Sequence, residues 1–440
     1  MRDVSVYYQN LVTNTYRPRC EPTITVKSKD GATNSYTFKS SNIIELKINQ
    51  KIDVLGKELP TIELEWSTFY NDFINFLSQP IIDNKDVLKE TLVQNNYPQM
   101  MYCPVALSFS QSLGPHTWRN LYDNYTWKKI SDEEFTWKSL ATKELTTDID
   151  FCTLFISEEP TIKDDKIIFK ARNALYFLNA EVNDNVYGSN LGNTSFFAPI
   201  QEFLERAKNN IPTEATALKQ TIEDSATSIY NYFEGEKLDR KIQVSSNFKD
   251  FLKNYLSLKN AYIYLNSSGG FQAKKFSHTE NVSGDYILDG NLMFKKPTVQ
   301  ETPKVSIYEN TYNYYDNVNG VWLKGNNRVL SSINVDNVEI GETFTERNPL
   351  WGYRESDYKE NSPNVLRAKH IDTYYYAGGK TIEVECLPNL AIEMGDVITV
   401  KYRDISNRDI SNDVIVVKSE LTYNGAFREK IYLHTMKGEQ

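Results

Sequence analysis

Two stretches of short apolar and polar alternation, separated by a block of helical spacing, constrain this chain more than anything else in it. Near the start, Ile24 and Val26, Tyr36 and Phe38, Ile44, Leu46 and Ile48, then Ile62, Leu64 and Trp66 alternate with polar neighbours, and turn residues such as Asp30-Gly31 part them. A period of two buries one face of each strand and leaves the other wet or shared.

From Phe69 the period changes. Phe69, Tyr70, Phe73, Phe76 and Leu77 fall on one side of a helix that Pro80 would end, part of an excursion at about 68–103. Strand signals return with Val105, Leu107 and Phe109, then polar connections carrying Trp118, Trp127 and Trp137, then Phe151, Thr153 and Phe155. Ile167 and Phe169 lead into Lys170 to Leu178, an apolar strand running into a turn or short helix.

The middle is helical. One stripe runs Ile200, Phe203, Leu204, Ala207 and Ile211 behind the first-turn residue Pro199. A second runs Ala215, Leu218, Ile222, Ala226, Ile229 and Phe233, with Thr213 as its expected cap and Gly235 as its stop. Phe248, Phe251, Leu252, Tyr255 and Leu256 suggest a third helix.

After residue 260 the strand period resumes. Tyr262 and Tyr264, the turn Ser267-Ser268-Gly269-Gly270, and Phe271 read as a hairpin. Further strands are expected at Val305 and Ile307, Val321 and Leu323, Ile382 to Cys386, Val397 to Tyr402, Val414 to Val417, and Ile431 and Leu433. Residues 308–362, rich in Asn and Tyr, read as a long polar loop or interaction arm. No short period repeats, which argues against solenoids and propellers.

A length of 440 residues calls for two or more cores. Hydrophobic residues are 40%, yet Tyr numbers 29 and Phe 21, a shift toward aromatics that favours strands and interfaces. The net charge of −9 includes no basic run, which argues against a binder that works by neutralising phosphates and leaves open a surface that faces DNA without holding it. Cys20, Cys103, Cys152 and Cys386 have no metal-ligand spacing and read as free thiols of a reducing cytoplasm. The opening MRDVSVYYQN has no signal-like apolar core, and no apolar run nears twenty residues, so synthesis in the cytosol without membrane insertion is expected.

Little in the chain points to chemistry. His116, His278, His370 and His434 are not in metal-ligand spacing, and the nucleophile-elbow, phosphate-loop and dinucleotide motifs do not occur. A glycosidase needs two carboxyls at the correct separation, and Glu63 with Glu65, Glu133 with Glu134, and Asp164 with Asp165 are available. Glu63 and Glu65, however, would lie on the wet face of the strand carrying Ile62, Leu64 and Trp66. Tyr374-Tyr375-Tyr376 suits either a glycan or a subunit contact, and the contact reading is favoured. No catalytic, cofactor-binding or metal residue is assigned, no cofactor is expected, and no enzyme is expected.

The last ninety residues carry the most specific signal. Asn348-Pro349-Leu350, a tyrosine-bearing strand, the run from Leu387 through Met394-Gly395-Asp396 to Val400, and the run from Ser419 through Asn424-Gly425 to Arg428 resemble the C-terminal β-domain of phage tail hub and tail-tip proteins. Pro388 would end a strand, Met394-Gly395-Asp396 would turn, and Asn424-Gly425 would join Leu421 and Tyr423 to the final strand. Upstream, Val105 to Phe109 and Ile168 to Leu178 resemble the returning part of the hub's first domain, with Ala171-Arg172-Asn173 where the family often has Ala-Arg-Asp.

The resemblance implies an α+β, mainly β fold with two tail-tube-like β-barrel domains, at 1–185 and 262–440, joined by a helical linking region at 186–261. It implies a baseplate hub found in tailed phages and related contractile injection particles. Such a hub is a homotrimer whose paired barrels adapt a sixfold tube to a threefold spike or tip. The implied partners are further copies of itself, the tail tube or distal tail ring protein, the spike or tip protein, the tape-measure protein and surrounding baseplate proteins. DNA would pass through without specific binding, along a wall expected to be acidic so that it does not stick. The alternatives are a host-surface glycan-binding or cell-wall-degrading tail protein and, more weakly, a hexameric distal tail ring.

Overall fold

The computed structural model describes residues 20–31, 35–69, 100–115, 144–163, 166–187, 194–238, 242–275, 287–302, 305–313, 315–318, 321–324, 328–334, 342–352, 379–404 and 406–435. The chain begins with β1 (Cys20–Lys27), β2 (Ser35–Phe38), β3 (Ile43–Lys51), β4 (Thr61–Phe69), β5 (Pro104–Pro115), β6 (Glu144–Ile156), β7 (Thr161–Lys163), β8 (Lys166–Arg172) and β9 (Glu181–Tyr187). Then come α1 (Ala198–Asn209), α2 (Thr216–Tyr232), β10 (Ile242–Asn247) and α3 (Phe248–Ser257). The hairpin β11 (Ala261–Leu265) and β12 (Phe271–Lys275) follows, then β13 (Ile287–Asp289) and β14 (Thr298–Glu301). Next are β15 (Val305–Asn313), β16 (Tyr315–Val318), β17 (Val321–Lys324), β18 (Arg328–Asn334) and β19 (Glu342–Gly352). The chain closes with β20 (Lys380–Cys386), β21 (Val397–Arg403), β22 (Asp409–Tyr423) and β23 (Phe427–Thr435).

One 14-stranded sheet dominates, in the order β14-β20-β23-β22-β3-β4-β8-β6-β5-β1-β2, with β21 and β13 hanging from β22 and β7 from β8. All its ladders are antiparallel except β13 on β21. The mainly β character expected from the alternating runs is therefore present. Residues 1–185 and 262–440 meet at the ladder between β3 and β22, where Ile48 faces Leu421 and Leu46 faces Tyr423. Among the described residues no ladder joins β14 to β2, and the stretch 287–302 borders two strands, with β13 paired to β21 and β14 to β20.

Most of the apolar half of the alternation joins one core, with Ile52, Val54, Tyr262, Tyr264 and Ile415 in a smaller cluster of their own. Leu46, Ile48, Leu64, Trp66 and Phe169 from the first stretch share it with Val384, Leu421, Ile431 and Leu433 from the last. At its centre the Trp66 and Phe169 rings stack with centroids 4.7 Å apart. They are neighbours because the two residues are paired across β4 and β8.

The helical stripes also lie in this core: Ile200, Phe203 and Leu204 of α1, Leu218, Ile222 and Ile229 of α2, and Phe251, Leu252 and Tyr255 of α3 are buried. Asn247 caps α3 by accepting from the Asp250 amide at 2.9 Å. The tip of the β11–β12 hairpin docks on the sheet, where Thr153 N donates to Ser267 O at 2.8 Å and Ala174 N to Gly269 O at 3.2 Å. Gly269 has φ of +83°, and a Cβ there would sit 2.4 Å from Thr153 O. Only a residue without a side chain permits this approach.

Several sequence expectations need correction. The buried residue at the start of β3 is Ile43 rather than Ile44, because a bulge between Ile43 and Glu45 shifts the alternation. The second helix begins at Thr216, and Ala215, not Thr213, occupies its cap position without a side-chain hydrogen bond. A turn closed by Ala215 N to Pro212 O precedes it, and Ala215 is buried beneath the helix start. Residues 308–362, expected as a long polar loop or arm around a strand at Val321 and Leu323, carry β15 to β19 in their described part as far as Gly352. Backbone ladders rich in Tyr, Thr and Val form there without the clean alternation that marks a half-buried strand. Phe69 ends β4 and is 54% exposed, and the rest of the helix expected after it lies outside the described residues. No helix among the described residues is long and apolar enough to cross a membrane.

Candidate assembly surface

The wet face of the large sheet is built by the polar half of the alternation. One row crosses six strands in register: Glu385 of β20, Lys430 of β23, Glu420 of β22, Asn49 of β3, Glu63 of β4 and Arg172 of β8. A second row, one pleat away, runs Arg428, Thr422, Lys47, Glu65 and Lys170. On the other side lie Glu383, Tyr432, Lys418, Lys51 and Thr61. None of these side chains is buried.

Ion pairs stitch the rows: Arg172 to Glu63 at 3.2 Å, Lys430 to Glu383 at 2.9 Å, Lys418 to Glu420 at 2.5 Å, Lys47 to Glu45 at 3.0 Å and Lys295 to Glu385 at 2.6 Å. The hydrogen bond from Lys295 holds the Glu385 carboxyl below its usual range. Tyr432 and Glu383 together raise the Lys430 ammonium. Solvent screens such exposed pairs, so the ladder sets register and surface pattern more than stability.

Cations outnumber carboxylates in the three rows. Most charged neighbours across strands are of opposite sign, as with Lys430 and Glu420 or Glu65 and Lys170, while Lys418 stands opposite Lys51. Glu63 and Glu65 lie on the wet face as expected, and each faces a cation of β8.

The large cleft among the described residues has a volume of about 750 Å³ and lies where β13 meets β21 and the start of β22. Lys295, Lys296, Lys401 and Arg403 line it together with Asp289, Tyr402 and Asp409. Arg403 Nε donates to Asp409 Oδ1 at 2.9 Å, which ties up that carboxylate. Burial, aided by Asp404, raises the Tyr402 hydroxyl above its ordinary value.

His434 is buried on β23, whereas His116, His278 and His370 lie outside the described residues. Glu133, Glu134, Asp164, Asp165 and the Tyr374 to Tyr376 run also lie outside them. No group of metal-ligating side chains occurs among the described residues. The four cysteines are free thiols, three of them buried.

Sequence reasoning missed the links that hold the surface in shape. Tyr264 donates to Glu393 Oε2 at 2.9 Å, joining the β11 hairpin to the loop before β21. Asn173 caps the short turn after β8 by accepting from Tyr176 N at 3.2 Å. Asn directly after a strand and before Ala-Leu-Tyr-Phe was a readable cap signal. The Tyr264 contact left no local trace.

No family model and no curated protein matches this sequence. Among solved structures, the chain is similar to the 43 kDa tail protein of prophage MuSo2 from Shewanella oneidensis, at 8% identity and a TM-score of 0.47, covering 94% of this chain and 98% of that one. It is similar to the tail protein from Neisseria meningitidis MC58, at 8% identity and a TM-score of 0.46, covering 94% and 96%. It is also similar to a chain of the lidded Francisella PdpA-VgrG complex, at 12% identity and a TM-score of 0.45, covering 96% of this chain and 54% of that one.

Proposed function

We propose that this chain is a structural, non-enzymatic subunit of a phage-type tail, the baseplate hub at the distal end of the tail tube. The observation that carries the reading is the behaviour of the segments with the hub-like pattern. Leu387 to Val400 and Ser419 to Arg428 form the turn-and-strand series around β21, β22 and β23, and β22 joins directly to β3 of the first half. A chain whose two ends share one sheet can present two strand surfaces side by side, as an adapter between sixfold and threefold symmetry requires.

In this reading three copies surround an axial passage for DNA or another payload. The tube or distal ring protein, the tape-measure protein, the spike and the outer baseplate proteins dock on the faces of the ring. The protein is a late product, assembled in the host cytoplasm into the virion tail, and works in genome ejection. Its wet sheet face, laddered with both signs, gives a sliding polyanion no continuous basic track to bind.

The glycan-cleaving alternative requires two converging carboxyls in a concave site. In the described cleft, Asp409 is held by Arg403 and cations dominate the lining. The decisive experiment is antibody labelling of particles that carry the chain. Label confined to the distal tip of the tail is the expected result. Label along the whole tail or on the head, or hydrolysis of purified wall polysaccharide by the chain, overturns the proposal.

A further inference from the structure

We propose that the basic cleft beside β21 is a docking site for an acidic, extended segment of a partner protein. The site stands whether or not the chain is a hub, because it depends on the cleft alone.

The cleft exists because residues 287–302 change neighbours. Asp289, the last residue of β13, pairs with Lys401 of β21, and Met293 already bridges Cys386 at the end of β20. In crossing from one strand to the other the chain leaves a gap beside the end of β21, and that gap is the volume of about 750 Å³. Concave sites that take ligands typically hold about 300–1,000 Å³.

On the central strands cations are matched with carboxylates, as Arg172 is with Glu63 and Lys430 with Glu383. In the cleft the matching stops. Glu385 holds Lys295 at 2.6 Å, but Lys296 reaches only the Asp404 carbonyl at 3.3 Å, and Lys401 forms no ion pair among the described residues. Arg403 gives its Nε to Asp409 in a pair whose side chains are 66% and 84% exposed. Its terminal nitrogens have no partner among the described residues and suit the bidentate hold that a guanidinium gives a carboxylate.

Lys401 and Arg403 stand two residues apart on one strand, so their side chains leave it on the same side. Carboxylates at alternate positions of an extended segment repeat at the same spacing. Met293, Pro297 and Ile410 also line the cleft and offer apolar contact to the side chains in between. A nucleic acid strand has no such apolar side chains, and the lining carboxylates Asp289 and Asp409 interrupt a continuous track for its phosphates. With a net charge of −9 the chain as a whole repels acidic ligands, so binding of one has to be local.

The test is fluorescence anisotropy of the full chain with a labelled peptide of alternating glutamate and valine, beside a lysine and valine peptide and labelled oligothymidylate. The acidic peptide binds and loses affinity as salt rises, while the other two bind at least about tenfold more weakly. Lys296→Glu with Lys401→Glu weakens binding by about tenfold or more, and Lys296→Ala with Lys401→Ala, which adds no repulsion, by about threefold or more. Lys163→Glu with Lys166→Glu, the same reversal at exposed positions of β7 and β8, keeps affinity within about twofold. Melting temperatures check that each variant is folded. Equal loss in that control, oligothymidylate binding as tight as the peptide, or no peptide binding at all overturns the docking site and leaves the hub reading standing. Self-association of the unmodified chain that Lys296→Glu with Lys401→Glu abolishes gives the cleft to a second copy and overturns the partner.

Discussion

Ile48 of β3 stands directly across from Leu421 of β22, and both side chains are buried. This pair lies on the seam where the first and last stretches of the chain become one sheet over one core. The two ends should therefore unfold together. Leu421→Ala is expected to cost about 2–4 kcal/mol. Hydrogen exchange should show β4 and β23 losing protection at the same denaturant concentration, while separate transitions for the two would contradict a shared core.

Gly269 is the second point of dependence. Gly269→Ala forces a methyl group to 2.4 Å from Thr153 O in a left-handed backbone conformation, so the hairpin tip must lift from the sheet. A loss of about 2–4 kcal/mol is expected. Gly235→Ala has a similar φ of +77° but meets nothing within 4 Å, and should cost only about 1 kcal/mol in the same urea titration. Equal losses would show that backbone conformation alone, and not the approach to Thr153, decides the matter.

Trp66 and Phe169 stack at the centre of the core, but the buried Trp66 indole N–H has no hydrogen-bond partner among the described residues. Trp66→Ala is expected to cost about 3–5 kcal/mol through the cavity it opens. Trp66→Phe keeps most of the stacking and removes the orphan donor, so its cost should stay below about 2 kcal/mol. Thermal melts of the two variants check the ordering.

The thiols give a pH dependence of defined sign. Burial, with a smaller contribution from Glu21, pushes the Cys20 thiol from 9.0 up to about 12, and burial followed by Glu429 raises Cys386 as well. Both values are raised in the folded chain, so their contribution to stability is intact below the ordinary value of 9.0. It is lost as pH climbs from there toward about 12, because the unfolded chain ionises first. Stability measured from pH 8 upward should fall, and Cys20→Ala should flatten that fall. An unchanged slope in the variant would remove Cys20 as its source.

Much of the architecture was legible in the residues, for reasons that are themselves local. Pro199, the Leu218–Ile222–Ile229 stripe and the Asn424-Gly425 turn each act within a few positions, and the structure has α1, α2 and the β22–β23 hairpin where they point. Gly425 takes φ of +92° in that turn. The bulge at Ile43 was hidden because a one-residue shift leaves the composition of a run unchanged. Val305 with Ile307 and Val321 with Leu323 mark β15 and β17, whereas β16, β18 and β19 are hidden because their ladders are carried by backbone groups that every residue shares. The surface was least legible of all: which cation faces which carboxylate depends on register between strands far apart in sequence, as with Glu63 and Arg172.

The central claim is that the chain builds a ring, and counting subunits tests it most directly. Native mass measurement of the purified full-length chain, paired with averaged electron micrographs, should give three copies about an open axis. A lone chain at micromolar concentration, or a closed ring of six, would contradict the account.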